Sequence, residues 1–80
     1  GLINRVVDGP ALDGALELAA AITANGPLAV ARSKQVIVES REWSEAEMFK
    51  KQGEVLGNLF MTEDAREGAA AFAEKRKPNW

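Results

Sequence analysis

Phe72 and Lys75 stand three residues apart near the end of the sequence, and on a helix that spacing makes them neighbours. An aromatic face beside an ammonium is a pairing that could meet an adenine ring and a phosphate. The same two residues also suit a plainer role, a core ring and a basic helix end that complements the macrodipole. Little other chemistry is open to this sequence. It has no histidine and no cysteine. That removes the usual base at neutral pH, the Ser-His and Cys-His nucleophile pairs, the commonest metal ligand, disulfides and thiolate metal sites. Glutamates are plentiful (Glu17, Glu39, Glu42, Glu45, Glu47, Glu54, Glu63, Glu67, Glu74), but most fall at helix starts or on solvent faces, where they cap and solubilise. Ser33, Ser40 and Ser44 lack any imidazole partner, and Ser44 is already placed to cap a helix. Gly53 and Gly57 lie one helical turn apart and form no phosphate-binding loop, which needs glycines between a strand and a helix. We therefore assign no catalytic residue and no metal ligand within the chain.

The elements that carry these residues follow from periodicity and punctuation. Thr62 can cap a last helix, Glu63 and Asp64 charge its first turn, Lys75, Arg76 and Lys77 its last, and Pro78 is expected to stop it. Ala65, Gly68, Ala69, Phe72 and the stem of Arg76 share one face, nearly smooth apart from one ring. At the other end, Gly1–Val7 reads as one short strand through Leu2, Ile3, Val6 and Val7. Asp8-Gly9-Pro10 is a turn. Apolar residues at Leu12, Leu16, Ala19 and Ile22 then predict a helix ending near Ala24. Asn25-Gly26-Pro27 forms a corner, with Gly26 able to take the left-handed conformation and Pro27 able to open a second helix, 28–41, that buries Val30 and Ile37. Ser44-Glu45-Ala46-Glu47 is a capping box for a third helix, with Trp43 able to pack on Met48 as a staple. Its stripe is Met48, Phe49, Gln52, Val55, Leu56, Leu59 and Phe60.

Eighty residues allow one small unit, residues 1–80. The formal charge of −2, ten basic against twelve acidic residues, argues against nucleic acid as a partner. No apolar run approaches the roughly 18 residues of a membrane span. A soluble, cytoplasmic, mostly helical chain is the expectation. One strand cannot satisfy its own backbone, and the sequence opens without methionine, so a piece of a larger α/β protein is expected.

Three stretches carry a resemblance. Glu63-Asp64-Ala65-Arg66-Glu67-Gly68, followed by Ala71-Phe72-Ala73-Glu74-Lys75-Arg76-Lys77-Pro78 and the terminal Trp80, resembles the C-terminal helix of the enoyl-CoA hydratase/isomerase (crotonase) superfamily. Gly1–Val7 and Asn25–Val30 with Lys34 are similar to that family in the same order. The resemblance implies a fold class: one short strand then about four helices, the C-terminal helical segment of an α/β crotonase-type fold. It implies that the N-terminal ββα-spiral domain, with the oxyanion-hole N–H groups and acid/base carboxylates, is absent from the chain. An acyl-CoA or enoyl-CoA thioester is the implied substrate, no covalently bound cofactor is implied, and the parent is expected to be a homo-oligomer, trimer or hexamer. Phe72 and Lys75 match positions that contact the CoA adenosine and 3′-phosphate in the family, with Arg76 and Lys77 weaker candidates. Hydration of a 2-enoyl-CoA is the default reaction.

Rivals from other classes are weaker. An acyl carrier protein needs its modified serine in an Asp-Ser-Leu setting that Ser33, Ser40 and Ser44 lack. A helix-turn-helix reader is disfavoured by the small positive excess of the second helix. A stand-alone helical assembly module is the alternative.

Overall fold

The computed structural model describes residues 1–80. Four helices account for most of the chain: α1 (Ala11–Thr23), α2 (Pro27–Glu39), α3 (Met48–Leu56) and α4 (Glu63–Glu74). Single 3-10 turns, Ser40–Glu42 and Leu59–Met61, follow α2 and α3. The helical class expected from periodicity is correct, and the expected strand is not: Gly1–Val7 is irregular, with a bend at Asn4. No other segment of the chain offers strand edges, so its backbone has nothing to pair with. Side chains tether it instead. Arg5 donates to the Gly14 carbonyl at 3.1 Å and to Glu17 at 2.9 Å. Val7 lies so close to Gly14 that a Cβ there would meet Val7 Cγ1 at 2.7 Å.

The corner between α1 and α2 turns the axis by 106°. Asn25 terminates α1 by donating its side-chain N–H to Ala21 O and Ile22 O, and Pro27 occupies the first turn of α2 as expected. Gly26 departs from expectation: φ −56° and ψ 124° are extended, as a residue before proline requires, and not left-handed. It is one of two buried residues and lies against the Trp80 ring, which a Cβ there would meet in ordinary van der Waals contact at 3.5 Å. Along α2, Val30 and Val36 are half-buried, whereas Ile37, expected inside, is 64 % exposed. Gln35 is half-buried and hydrogen bonded to Arg32 and Glu39.

The third helix is shorter at both ends than its pattern predicts. Only half of the capping box forms: the Glu47 carboxylate accepts from the Ser44 N–H at 3.3 Å and from its hydroxyl at 2.7 Å. The hydroxyl thus donates to the carboxylate, Ser44–Glu47 closes as a single turn, and α3 begins only at Met48. Trp43, the expected staple partner of Met48, lines the cleft between α2 and α3 beside Val55 and Lys51. Gly57, with φ +45° and ψ −122°, ends the helix before the apolar stripe is complete.

The result is a layer of 44 × 38 × 14 Å, scarcely thicker than one helix. Its radius of gyration is 16.1 Å, against about 12 Å for a compact chain of this length. Its accessible surface is 6860 Å², against about 4,700 Å² for a folded monomer of this mass. Gly26 and Ala71 alone are buried, while Phe49, Phe60 and Met61 are 82, 80 and 72 % exposed. The apolar faces that periodicity identifies exist, but nothing within the chain covers them. No helix is long and apolar enough to cross a membrane.

The two glycines of α3 should respond to alanine with opposite signs. Gly57→Ala forces a side chain into a strained backbone and is expected to lower the unfolding free energy by about 1 kcal/mol or more. Gly53→Ala, in open space within the helix, is expected to raise it by up to about 1 kcal/mol. Denaturant unfolding of both variants decides; equal shifts would contradict the assigned break at Gly57.

Candidate functional site

Helix α4 and the six residues after it hold the candidate pair. Thr62 starts the helix as predicted, accepting from the Ala65 N–H at 3.3 Å while donating to Leu59 O at 2.6 Å. Asp64 in the first turn lies 3.4 Å from the Leu28 N–H, placing a negative charge at the start of α2 as well. The helix then ends sooner than the basic run implies. Lys75 adopts φ 53° and ψ 40°, the left-handed conformation, and closes a Schellman motif in which the Arg76 N–H reaches Ala71 O at 3.0 Å and the Lys75 N–H reaches Phe72 O at 3.3 Å. The stop is therefore at Lys75, three residues before Pro78.

Beyond that turn the chain folds back along α4. The Arg76 guanidinium grips Glu67 through both terminal nitrogens, at 2.5 and 3.1 Å, and its Nε donates to Glu74 at 2.5 Å. The Asn79 N–H donates to the same Glu67 carboxylate at 2.7 Å. Trp80 completes the return. Its indole N–H donates to Ala24 O at 3.0 Å, and a Cβ added to Gly68 or Gly26 would lie 3.2 or 3.5 Å from ring atom Cη2. The ring thus sits where the α1–α2 corner meets α4. It forms one wall of an apolar groove of about 280 Å³ lined also by Ala29, Leu59, Ala65 and Ala69.

Phe72 lies outside this arrangement. The face predicted to hold Ala65, Gly68, Ala69 and Phe72 splits: the small residues line the groove, whereas Phe72 is 88 % exposed. The buried member of α4 is Ala71. Phe72 and Lys75 remain linked across the helix end by the Lys75 N–H to Phe72 O hydrogen bond. Arg76, a weaker candidate for the same role, is occupied by two carboxylates, which raise its pKa. The Glu67 hub and the seat of Trp80 escaped sequence reasoning. Their available signal was a pair of glycines, Gly26 and Gly68, that no positive φ demands, together with an aromatic residue at the chain end.

Elsewhere the chain offers few reactive constellations. The cleft of about 420 Å³ between α2 and α3 mixes Arg32 and Lys51 with Glu39 and Glu54 around Trp43, so its charges offset one another. No three metal-ligating side chains converge. Geometry of this kind is a thin helical layer with one clasped end.

Comparison with known proteins gives the family. The chain belongs to the enoyl-CoA hydratase/isomerase family, whose sequence profile matches residues 1–80. It is 52 % identical over 81 residues to enoyl-CoA hydratase EchA19 of Mycobacterium tuberculosis, covering all of this chain and 30 % of the relative. It is 40 % identical over 85 residues to a carnitinyl-CoA dehydratase of Salmonella arizonae, covering all of this chain and 33 % of that protein. The crystal structure of an enoyl-CoA hydratase from Mycobacterium tuberculosis H37Rv superposes with a TM-score of 0.96 at 53 % identity, again over the whole chain and 32 % of that structure. The chain thus spans about a third of the length of these relatives.

Three donors from Arg76 and Asn79 hold the Glu67 carboxyl well below its ordinary value of 4.5, at about 2, with the Arg76 hydrogen bonds the largest cause. Because the folded value is the lower one, the contribution of Glu67 to stability is fully present above about pH 4.5 and fades as the pH falls towards 2. A carboxyl NMR titration should find the Glu67 midpoint near 2, and Arg76→Ala should move it most of the way back to 4.5. A midpoint unmoved by that substitution would contradict the assigned cause.

Proposed function

We propose that this chain is the C-terminal helical layer of an enzyme that hydrates 2-enoyl-CoA thioesters. Within that enzyme it supplies part of a trimer or hexamer interface and contacts the CoA tail through Phe72 and Lys75. The observation that carries the reading is the family match across residues 1–80, reinforced by 52 % identity to a protein named an enoyl-CoA hydratase. In the proposed reaction, water adds across the double bond conjugated to the thioester, and negative charge develops on the thioester oxygen. Preorganised backbone N–H donors stabilise such an enolate best. We assign those donors and the acid/base carboxylates to the part of the family fold that this chain does not span.

Two features support the role of the layer. Its accessible surface, well above that of a compact monomer of this mass, leaves broad faces to be covered by the rest of the fold or by another subunit. Its exposed Phe49, Phe60 and Met61 are apolar groups of the kind such contacts use. For the CoA contact, Phe72 offers an uncovered ring face to a base. Lys75 offers a cation that no carboxylate of the chain engages in a salt bridge. The backbone of Lys75 adds an argument. Glycine holds a left-handed helix cap with the least strain, so a lysine at this position keeps its side chain at an energetic cost of about 1 kcal/mol. A residue kept against strain is a candidate for function.

Lys75→Gly separates fold from binding. It should stabilise the protein by up to about 1 kcal/mol through the relaxed cap, yet raise KM for the CoA thioester about three- to tenfold with kcat nearly intact, as loss of uniform binding requires. Steady-state kinetics on the full-length enzyme check the second effect and thermal unfolding the first. An unchanged KM would return Phe72 and Lys75 to a purely structural role.

A further inference from the structure

We infer that Trp80 is a positioning residue that holds Lys75 in its left-handed turn and so fixes where the ammonium stands relative to Phe72. The inference rests on reading Phe72 and Lys75 as contacts for the CoA nucleotide. Lysine disfavours the left-handed region, and nothing in the Glu74-Lys75-Arg76 sequence prevents α4 from continuing until Pro78 restricts the residue before it. An extended α4 would instead carry the Lys75 side chain along the helix face it shares with Phe72, so the left-handed turn sets a different position for the ammonium. What opposes that rearrangement is the anchored return of the chain. Arg76 and Asn79 are bonded to Glu67, and Trp80 is pinned by its N–H to Ala24 O with its ring between Gly26 and Gly68. Lys75 is thus fixed from both sides, by the helix before it and by the clasp after it.

The test compares Trp80→Ala, Trp80→Phe, Lys75→Ala and the Trp80→Ala/Lys75→Ala double variant in the full-length enzyme. Kinetics use a 2-enoyl-CoA and the matching pantetheine thioester, which lacks the nucleotide. Hydrogen exchange is followed over residues 72–80. Trp80→Ala should speed exchange there and raise KM for the CoA substrate about threefold or more with kcat held within about twofold, the mark of lost ground-state positioning. The penalty should vanish with the pantetheine thioester and in the Lys75→Ala background, because the two substitutions act through one group. Trp80→Phe, which keeps the ring, should retain most of the affinity. Should Trp80→Ala fail to fold, Glu67→Gln opens the same clasp from α4 and is read by the same comparisons. Faster exchange with no change in KM, while Lys75→Ala does raise it, would overturn the positioning role and leave the nucleotide contact standing. A Trp80→Ala penalty equal for both substrates, or fully additive with Lys75→Ala, would show a merely structural residue. If Lys75→Ala itself leaves KM unchanged, the nucleotide reading falls and this inference with it.

Discussion

One carboxylate organises the end of this chain. Glu67 lies in the middle of α4 and accepts from the Arg76 fork and from the backbone of Asn79. Each of these bonds is exposed to water, and a single surface ion pair contributes little. Their geometry matters more than their separate strengths. Residues 76–79 are joined to α4 through a short loop, so closing it costs little chain entropy, and the closure delivers Trp80 to the one place where three segments meet. There the indole touches the corner after α1, and its ring contacts both Gly26 and Gly68. Without the return of the tail, the only hydrogen bond left between α4 and the start of α2 is the long one from the Leu28 N–H to Asp64.

Much of this was legible in the residues, and what was not has definite causes. Thr62 as a cap and Pro27 at a helix start were readable because both act within a single turn. Gly57 is not legible as a helix stop, since nothing local says that one glycine of a pair takes a positive φ and the other stays helical. Ser44 and Glu47 match the capping-box pattern, but the hydroxyl chose the carboxylate over the backbone, a competition that pattern alone does not decide. The strand failed for a different reason. Strand character is realised only by pairing, and Gly1–Val7 meets no other strand here.

The candidate site was half legible. Phe72 and Lys75 were picked out by type and spacing, but the uncovered ring and the left-handed lysine are tertiary facts. Gly26 illustrates the limit well. Its type suggested a left-handed dihedral, whereas its backbone is extended and it lies against a ring fifty-four positions later in the chain. The glycine crowded by that ring is Gly68, where a Cβ would come within 3.2 Å, and its type alone does not name the distant neighbour.

The thinness of the layer has a consequence for how it melts. Cooperative unfolding requires an interior whose loss is shared by every element, and a sheet of helices 14 Å deep with two buried residues has almost none. Its helices would fray one by one if left alone, each with its own small free energy. Against a partner surface the same helices would share one boundary and come apart together. Their melting temperature then belongs to the whole body they cover, and depends on concentration only where the covering surface comes from another chain.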